Sequence, residues 1–255
     1  MGLAGLTIKG RAPKTGYDRD LFGPAWADVD RNGCDIRNDI LARDLTEESF
    51  RPGTRNCVVL TGTLIDPYTG RSIVFRKEEA GAVQIDHVVS LSDAWQKGAQ
   101  QWEPGRRLAF ANDPLNLLAV DGPTNASKSD ADAATWLPPN LSYRCPLVAR
   151  QIAVKLGYGL AVTRSEHDAI SRVLTSCPGQ QLPTSAPAAA PDRSAAEPTP
   201  APELRTDGTD PDYGSCRAAK ANGAGPYVRG TDPEYDYYRD ATVTAQSVNE
   251  HSCRS

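Results

Sequence analysis

Gln84-Ile85-Asp86-His87-Val88-Val89 sets two ionisable side chains inside an apolar run, and what flanks it decides how the chain is read. A short run of this composition reads as a strand, and neighbouring side chains of a strand leave on opposite faces. Asp86 and His87 can therefore share one reaction centre only if the strand ends or twists there. Ser90 and Ser92, just beyond, suggest such an ending. Further along come Asn116, in Asp113-Pro114-Leu115-Asn116-Leu117-Leu118, and Asn125, in Asn125-Ala126-Ser127-Lys128. These residue types suit cleavage of a phosphodiester. The reaction needs a base that takes a proton from water near neutral pH, and imidazole lies closest to that range, which makes His87 the candidate. It also needs a divalent cation to neutralise the scissile phosphate, and hard cations prefer carboxylate and amide oxygens, which Asp86 and Asn125 offer.

Taken singly these signals are weak. A lone histidine at a strand end is commonly a hydrogen-bonded structural residue, Asn116 next to Pro114 reads as an Asx-turn residue, and Asn125 as a solvated loop amide. In order and together they resemble the HNH endonucleases. That resemblance implies an α+β fold whose core is a two-stranded ribbon and a helix around one metal ion. It also implies His87 as general base, Asp86 and Asn125 as metal ligands, Asn116 as the asparagine that holds the base loop, and Lys128 as a phosphate contact. Asn125 stands where the family motif ends in histidine, and an amide oxygen suits Mg2+ or Mn2+ better than zinc. Residues 30–177 are similar to secreted bacterial HNH proteins related to the carboxy-terminal domain of GmrSD-type restriction enzymes. The shared elements are Asp66-Pro67-Tyr68-Thr69-Gly70, Ala94-Trp95, Asn116-Leu117 and Trp136-Leu137-Pro138-Pro139.

The chain of 255 residues holds one domain with an adequate core plus a small appendage. Its six cysteines fit an oxidising compartment, and no pair has the short spacing of a zinc knuckle. Nearest-neighbour pairing gives Cys34 with Cys57, Cys145 with Cys177 and Cys216 with Cys253, one of the 15 possible connectivities. The net charge of -4 argues mildly against a nucleic-acid partner. However, residues 1–178 carry 21 Lys plus Arg and 21 Asp plus Glu, so the surplus acid lies in the remainder. A neutral body can bind DNA if Arg71, Arg76, Lys77, Arg106, Arg107 and Lys128 gather beside the metal, giving salt-sensitive binding with little sequence preference.

Local patterning divides the chain into an N-terminal segment (1–29), the nuclease domain (30–178), a Pro/Ala-rich linker (179–211) and a tail module (212–255). Within the domain the pattern predicts a helix over 35–41 and a hairpin of 58–61 with 72–75 around Asp66–Gly70. Two active-site strands follow, 83–88 and 117–120, with a helix over 92–98 between them. Another helix is expected after Lys128, then two over 145–156 and 163–175. Trp95, Trp102 and Trp136 are expected in the core or groove wall. His167 follows a capping box opened by Thr163 and is expected on an exposed face. The tail, through Tyr213-Gly214-Ser215-Cys216 and Gly225-Pro226-Tyr227, resembles the extracellular excalibur module. The aspartates that would alternate ahead of its second cysteine are missing, so Ca2+ there is doubtful and the disulfide is expected to order it.

No run of about 20 apolar residues spans a membrane. Met1–Lys9 is too short and interrupted for a signal peptide, so either the export signal is absent from this chain or the cysteines mislead about location; on the six cysteines a secreted or cell-surface location is expected. Two functions follow. One is a secreted metal-dependent endonuclease acting on DNA, with RNA as the second candidate substrate. The other is a noncatalytic surface-associated binding protein on the same scaffold, attached through the tail.

Overall fold

The hairpin expected around Asp66–Gly70 forms because Asp66 organises its turn. In the computed structural model, which describes residues 2–79 and 81–184, the Asp66 carboxylate accepts hydrogen bonds from the backbone N–H groups of Tyr68 and Thr69 and from the Thr69 hydroxyl. Strands β2 (Val59–Ile65) and β3 (Ser72–Arg76) pair antiparallel across this turn, from Thr61 opposite Arg76 to Ile65 opposite Ser72. Helix α1 (Ile36–Asp44), capped by the Asp35 carboxylate on Asn38 N–H, leads into a third strand, β1 (Leu45–Phe50), on the free edge of β2. The sequence does not announce β1, since Thr46-Glu47-Glu48 has the polar character of an exposed edge. The Cys34–Cys57 bridge ties the approach to α1 to the approach to β2.

A second, two-stranded sheet pairs β4 (Val83–His87) with β5 (Leu117–Asp121), in register from Val83 opposite Asp121 to His87 opposite Leu117. Helices α2 (Leu91–Gln96) and α3 (Pro104–Ala111) occupy the connection. Helix α4 (Gly122–Lys128) follows β5 directly. The sequence placed a helix after Lys128, and this is corrected: the helix ends there, because Ser129 takes a left-handed φ of 52°. Its start is hidden by Gly122-Pro123, which reads as a breaker. Asp121 caps it by accepting from Thr124 N–H, and proline fits the first helical turn. Glycine is needed at 122, because a Cβ there would stand 2.1 Å from the Gly81 carbonyl oxygen.

Helices α5 (Arg144–Tyr158) and α6 (Arg164–Thr175) close the body and are joined by the Cys145–Cys177 bridge. The N-terminal residues are packed into the same body. Ile8 pairs with Val162, and Phe22, 1% exposed, sits among Val89, Trp95 and Phe110. Trp95 and its neighbour Trp102 lie in this cluster, and Trp136 packs on Tyr68, as expected for core aromatics. Residues 185–255, with most of the linker, the tail module, the Cys216–Cys253 pair and the calcium question, lie outside the described residues.

Beneath α2, α5 and α6 is a buried charge network. Lys97 meets Asp93 at 2.7 Å, Asp132 at 2.8 Å and Glu166 at 2.5 Å. Lys155 meets Asp93 at 3.0 Å and also Glu166, while Arg11 reaches Asp93 and Asp132. Three cations thus balance three carboxylates. Burial would raise Asp132, but hydrogen bonds and charge from Lys97 and Arg11 outweigh it and hold its pKa at about 2. Burial would likewise lower Lys155, yet Asp93 and Glu166 outweigh it and raise its pKa.

Candidate active site

Four of the five residues singled out for chemistry line or underlie one cleft, and Asn116 holds its frame. Strand β4 ends at His87, which allows Asp86 and His87 to border the same space despite their opposite strand faces. Gln84, Asp86, His87, Ser90, Asn125 and Asp130 line a cleft of about 500 Å³, which Lys14, Arg19 and Trp26 close from the N-terminal side.

Asp86 is 5% exposed and doubly held. One carboxylate oxygen accepts from the Tyr68 hydroxyl at 2.5 Å and the other from the Lys128 ammonium at 2.9 Å. Burial and the Asp86 charge keep the Tyr68 pKa well above the ordinary tyrosine range, so this hydroxyl remains a donor. The hairpin turn delivers Tyr68, because Asp66 also accepts from Asp121 N–H and so locks the turn to the end of β5. Lys128 is 1% exposed and donates to the His87 carbonyl as well. The fold therefore places Lys128, the residue carried over as a phosphate contact, against a carboxylate in the interior.

His87 is 8% exposed, and its Nε2 lies 2.8 Å from the Ala111 carbonyl oxygen. A carbonyl only accepts, so this contact requires a proton on Nε2 and leaves the lone pair of the neutral ring on Nδ1. Burial lowers the His87 pKa to about 4. The Ala111 carbonyl opposes that shift, while the Arg19 and Lys128 charges add to it, and the ring is neutral at pH 7. Trp26 lies nearly parallel to the ring, 14° between planes and 6.4 Å between centroids.

Asn116 fixes this arrangement from behind. Its side-chain oxygen accepts from Val89 N–H at 2.9 Å, its amide donates to the Val89 and Phe110 carbonyls, and its own carbonyl accepts from Val88 N–H. It thereby clamps the segment leaving His87 to the end of α3, where Ala111 holds the imidazole. The Asx-turn alternative belongs to Asp113, which accepts from Leu115 N–H. Asn125, on α4, donates its amide to the Gln84 side-chain oxygen at 2.9 Å. Among the described residues nothing claims the Asn125 side-chain oxygen.

Sequence reasoning missed Tyr68, Gln84, Lys14, Arg19 and Trp26. Tyr68 lies within Asp66–Gly70, where it reads as a turn residue, and the N-terminal three carry no periodic signal. Five of the six basic residues that would have to gather beside the metal lie away from the cleft. Arg107 donates to the Leu21 and Trp102 carbonyls and Arg106 to the Tyr158 carbonyl. Arg71, Arg76 and Lys77 belong to the three-stranded sheet and its exit, and none of these five lines the cleft. Among the described residues, the cations that do are Lys14 and Arg19.

The chain belongs to the family described as GmrSD restriction endonucleases, C-terminal domain, which it matches over residues 35–173. It is also 37% identical over 177 residues to a protein of Arthroderma benhamiae called "Uncharacterized secreted protein". That alignment spans 69% of this chain and 82% of the relative. Among the described residues no helix is long and apolar enough to cross a membrane.

Proposed function

We propose that this protein is a secreted, metal-dependent endonuclease of the HNH type, which hydrolyses phosphodiester bonds of DNA with His87 as general base. The observation that carries the reading is the tautomer imposed on His87. With Nε2–H donated to Ala111, Nδ1 is the basic nitrogen, and Asp86 and Asn125 border the same cleft. Nδ1 takes the proton of the attacking water. The Ala111 carbonyl then stabilises the resulting imidazolium through a bond that was already in place, so no reorientation is needed.

The donor set fits a hard divalent cation, Mg2+ or Mn2+. Asn125 has an unclaimed side-chain oxygen. Each Asp86 oxygen holds one partner and, with about two lone-pair sites per oxygen, can accept another. Asp86 and Asn125 would hold the ion, which would neutralise charge on the phosphate and the leaving oxygen. In this reading Tyr68 and Lys128 orient Asp86, Gln84 orients Asn125, and Asn116 fixes the base loop. Lys128 balances the Asp86 charge. Family membership supports nuclease chemistry, and the ribbon of β4 and β5 followed by α4 supports the HNH assignment. Export is supported by the relative's name and by two disulfides.

Plasmid nicking with and without EDTA tests the reading, with an RNA substrate in parallel. Metal-dependent nicking that disappears in EDTA is expected. Binding of DNA with no nicking under any divalent metal would replace it with the noncatalytic binding protein. Calorimetric titration with Mn2+ should show weaker binding in Asp86→Ala and Asn125→Ala, and unchanged affinity in both would move the metal elsewhere.

A further inference from the structure

We infer that the segment ahead of the family-matched region completes the active site, and that Arg19 is its contact to a substrate phosphate. This rests on the nuclease reading above and adds a residue to it.

The segment is anchored on both sides of Arg19. Before it, the Tyr17 ring packs edge-on against Trp95, with centroids 6.1 Å apart. After it, Phe22 is buried against Trp95 and Phe110, and the Leu21 carbonyl accepts from Arg107 at 2.9 Å. Further on, Ala27 N–H donates to the Asn112 side chain at 3.0 Å. The backbone that carries Arg19 is therefore fixed, and the cost of ordering it is met in folding, before any ligand binds.

Its guanidinium, by contrast, is free. Among the described residues Arg19 makes no hydrogen bond or ion pair, although Asp18 and Asp20 flank it; the Asp18 side chain is occupied by Asp20 N–H. Lys14, the other cation of the cleft, is already held by Asp130 at 3.0 Å. Lys128 is buried against Asp86. Among the described residues Arg19 is thus the cleft-lining cation without a partner. It lies where two hollows join, since it lines both the main cleft and the adjoining space of about 210 Å³ bordered by Trp26, His87 and Ala111. An extended polyanion in the cleft would pass His87 and Arg19 together, and a planar guanidinium suits phosphate oxygens.

The test uses the full chain in EDTA, with anisotropy of a short fluorescein-labelled DNA duplex measured across a salt series. Removing one phosphate contact from a duplex complex lowers the slope of log affinity against log salt by about 0.9, which is about five-fold weaker binding near 0.15 M salt. Arg19→Ala is expected to show both changes with an unaltered melting temperature. Arg19→Lys should recover most of the slope, and Arg164→Ala, an exposed arginine outside the cleft lining, should match wild type. If wild type binds and nicks while Arg19→Ala gives the same slope, the Arg19 contact is overturned and the nuclease reading stands. If wild type neither binds nor nicks, both are overturned.

Discussion

Removing Lys155 alone and removing it together with Glu166 should have very different consequences. Lys155 and Glu166 are 1% and 0% exposed at their side chains, and their network holds three cations against three carboxylates. Lys155→Met leaves two cations facing Asp93, Asp132 and Glu166, with one negative charge uncompensated away from water. Breaking a buried pair from one side typically costs about 3–5 kcal/mol. For a body of this size each kcal/mol corresponds to roughly 2–4 °C, so the melting temperature should fall by about 6–20 °C. Glu166→Leu should cost a similar amount. The double variant restores the balance, since Lys97 and Arg11 then face Asp93 and Asp132, and apolar replacement of a buried pair is often nearly neutral. Thermal and urea unfolding of wild type, both single variants and the double variant form a complete cycle. A double variant as unstable as the sum of the singles would refute the reasoning, because it would mean that each group acts through its own packing.

The same network should make stability fall on acidification. Asp132 and Asp93 have folded pKa values below their ordinary value of 3.8, so their contribution is complete above about pH 4 and is lost as pH drops towards about 2. Urea midpoints that are level from pH 5 to 8 and fall below pH 4 would agree, and a decline centred near pH 6 would not. His87→Ala should lower the nicking rate at least about 10²-fold, the usual minimum for a general base, with circular dichroism unchanged. Full activity in a contaminant-free preparation would remove His87 from the mechanism. Tyr68→Phe deprives a buried carboxylate of a donor and should cost about 1.5–3 kcal/mol while raising the Mn2+ concentration needed for nicking. Reducing the bridges, which close sequence separations of 23 and 32 residues, should cost about 3–4 kcal/mol each by loop entropy, read from melts with and without reductant.

Much of the architecture was legible because its signals are local. Asp66–Gly70 carries its own turn chemistry, and Val83–His87 and Leu117–Asp121 are short apolar runs that pair as expected. The nearest-neighbour cysteine pairs Cys34–Cys57 and Cys145–Cys177 are both present. The meeting of Asp86, His87 and Asn125 at one cleft was legible in type and order. What escaped depends on distant partners. Lys97, Lys155 and Glu166 look like solvated helix charges, and Glu166 doubles as the last member of a capping box; only the stacking of three helices buries them together. Arg19 and Trp26 sit in a stretch without periodicity, so nothing local says that it folds back over His87. Helix α4 was displaced by its opening Gly122-Pro123, a pair that signals a break until Asp121 is seen to cap it.

The position of the buried network also separates two responses to ionic strength. Mobile ions screen charges at the surface within about 8 Å at physiological salt, but screen buried pairs far less. Lys97, Lys155, Asp93, Asp132 and Glu166, with side chains 0–3% exposed, are therefore shielded from the medium, while the Arg19 guanidinium at the cleft is open to it. Raising salt should leave the fold intact and loosen the grip on a polyanion. A salt titration of this protein accordingly reports chiefly on binding, and a preparation inactivated by concentrated salt should regain activity on simple dilution.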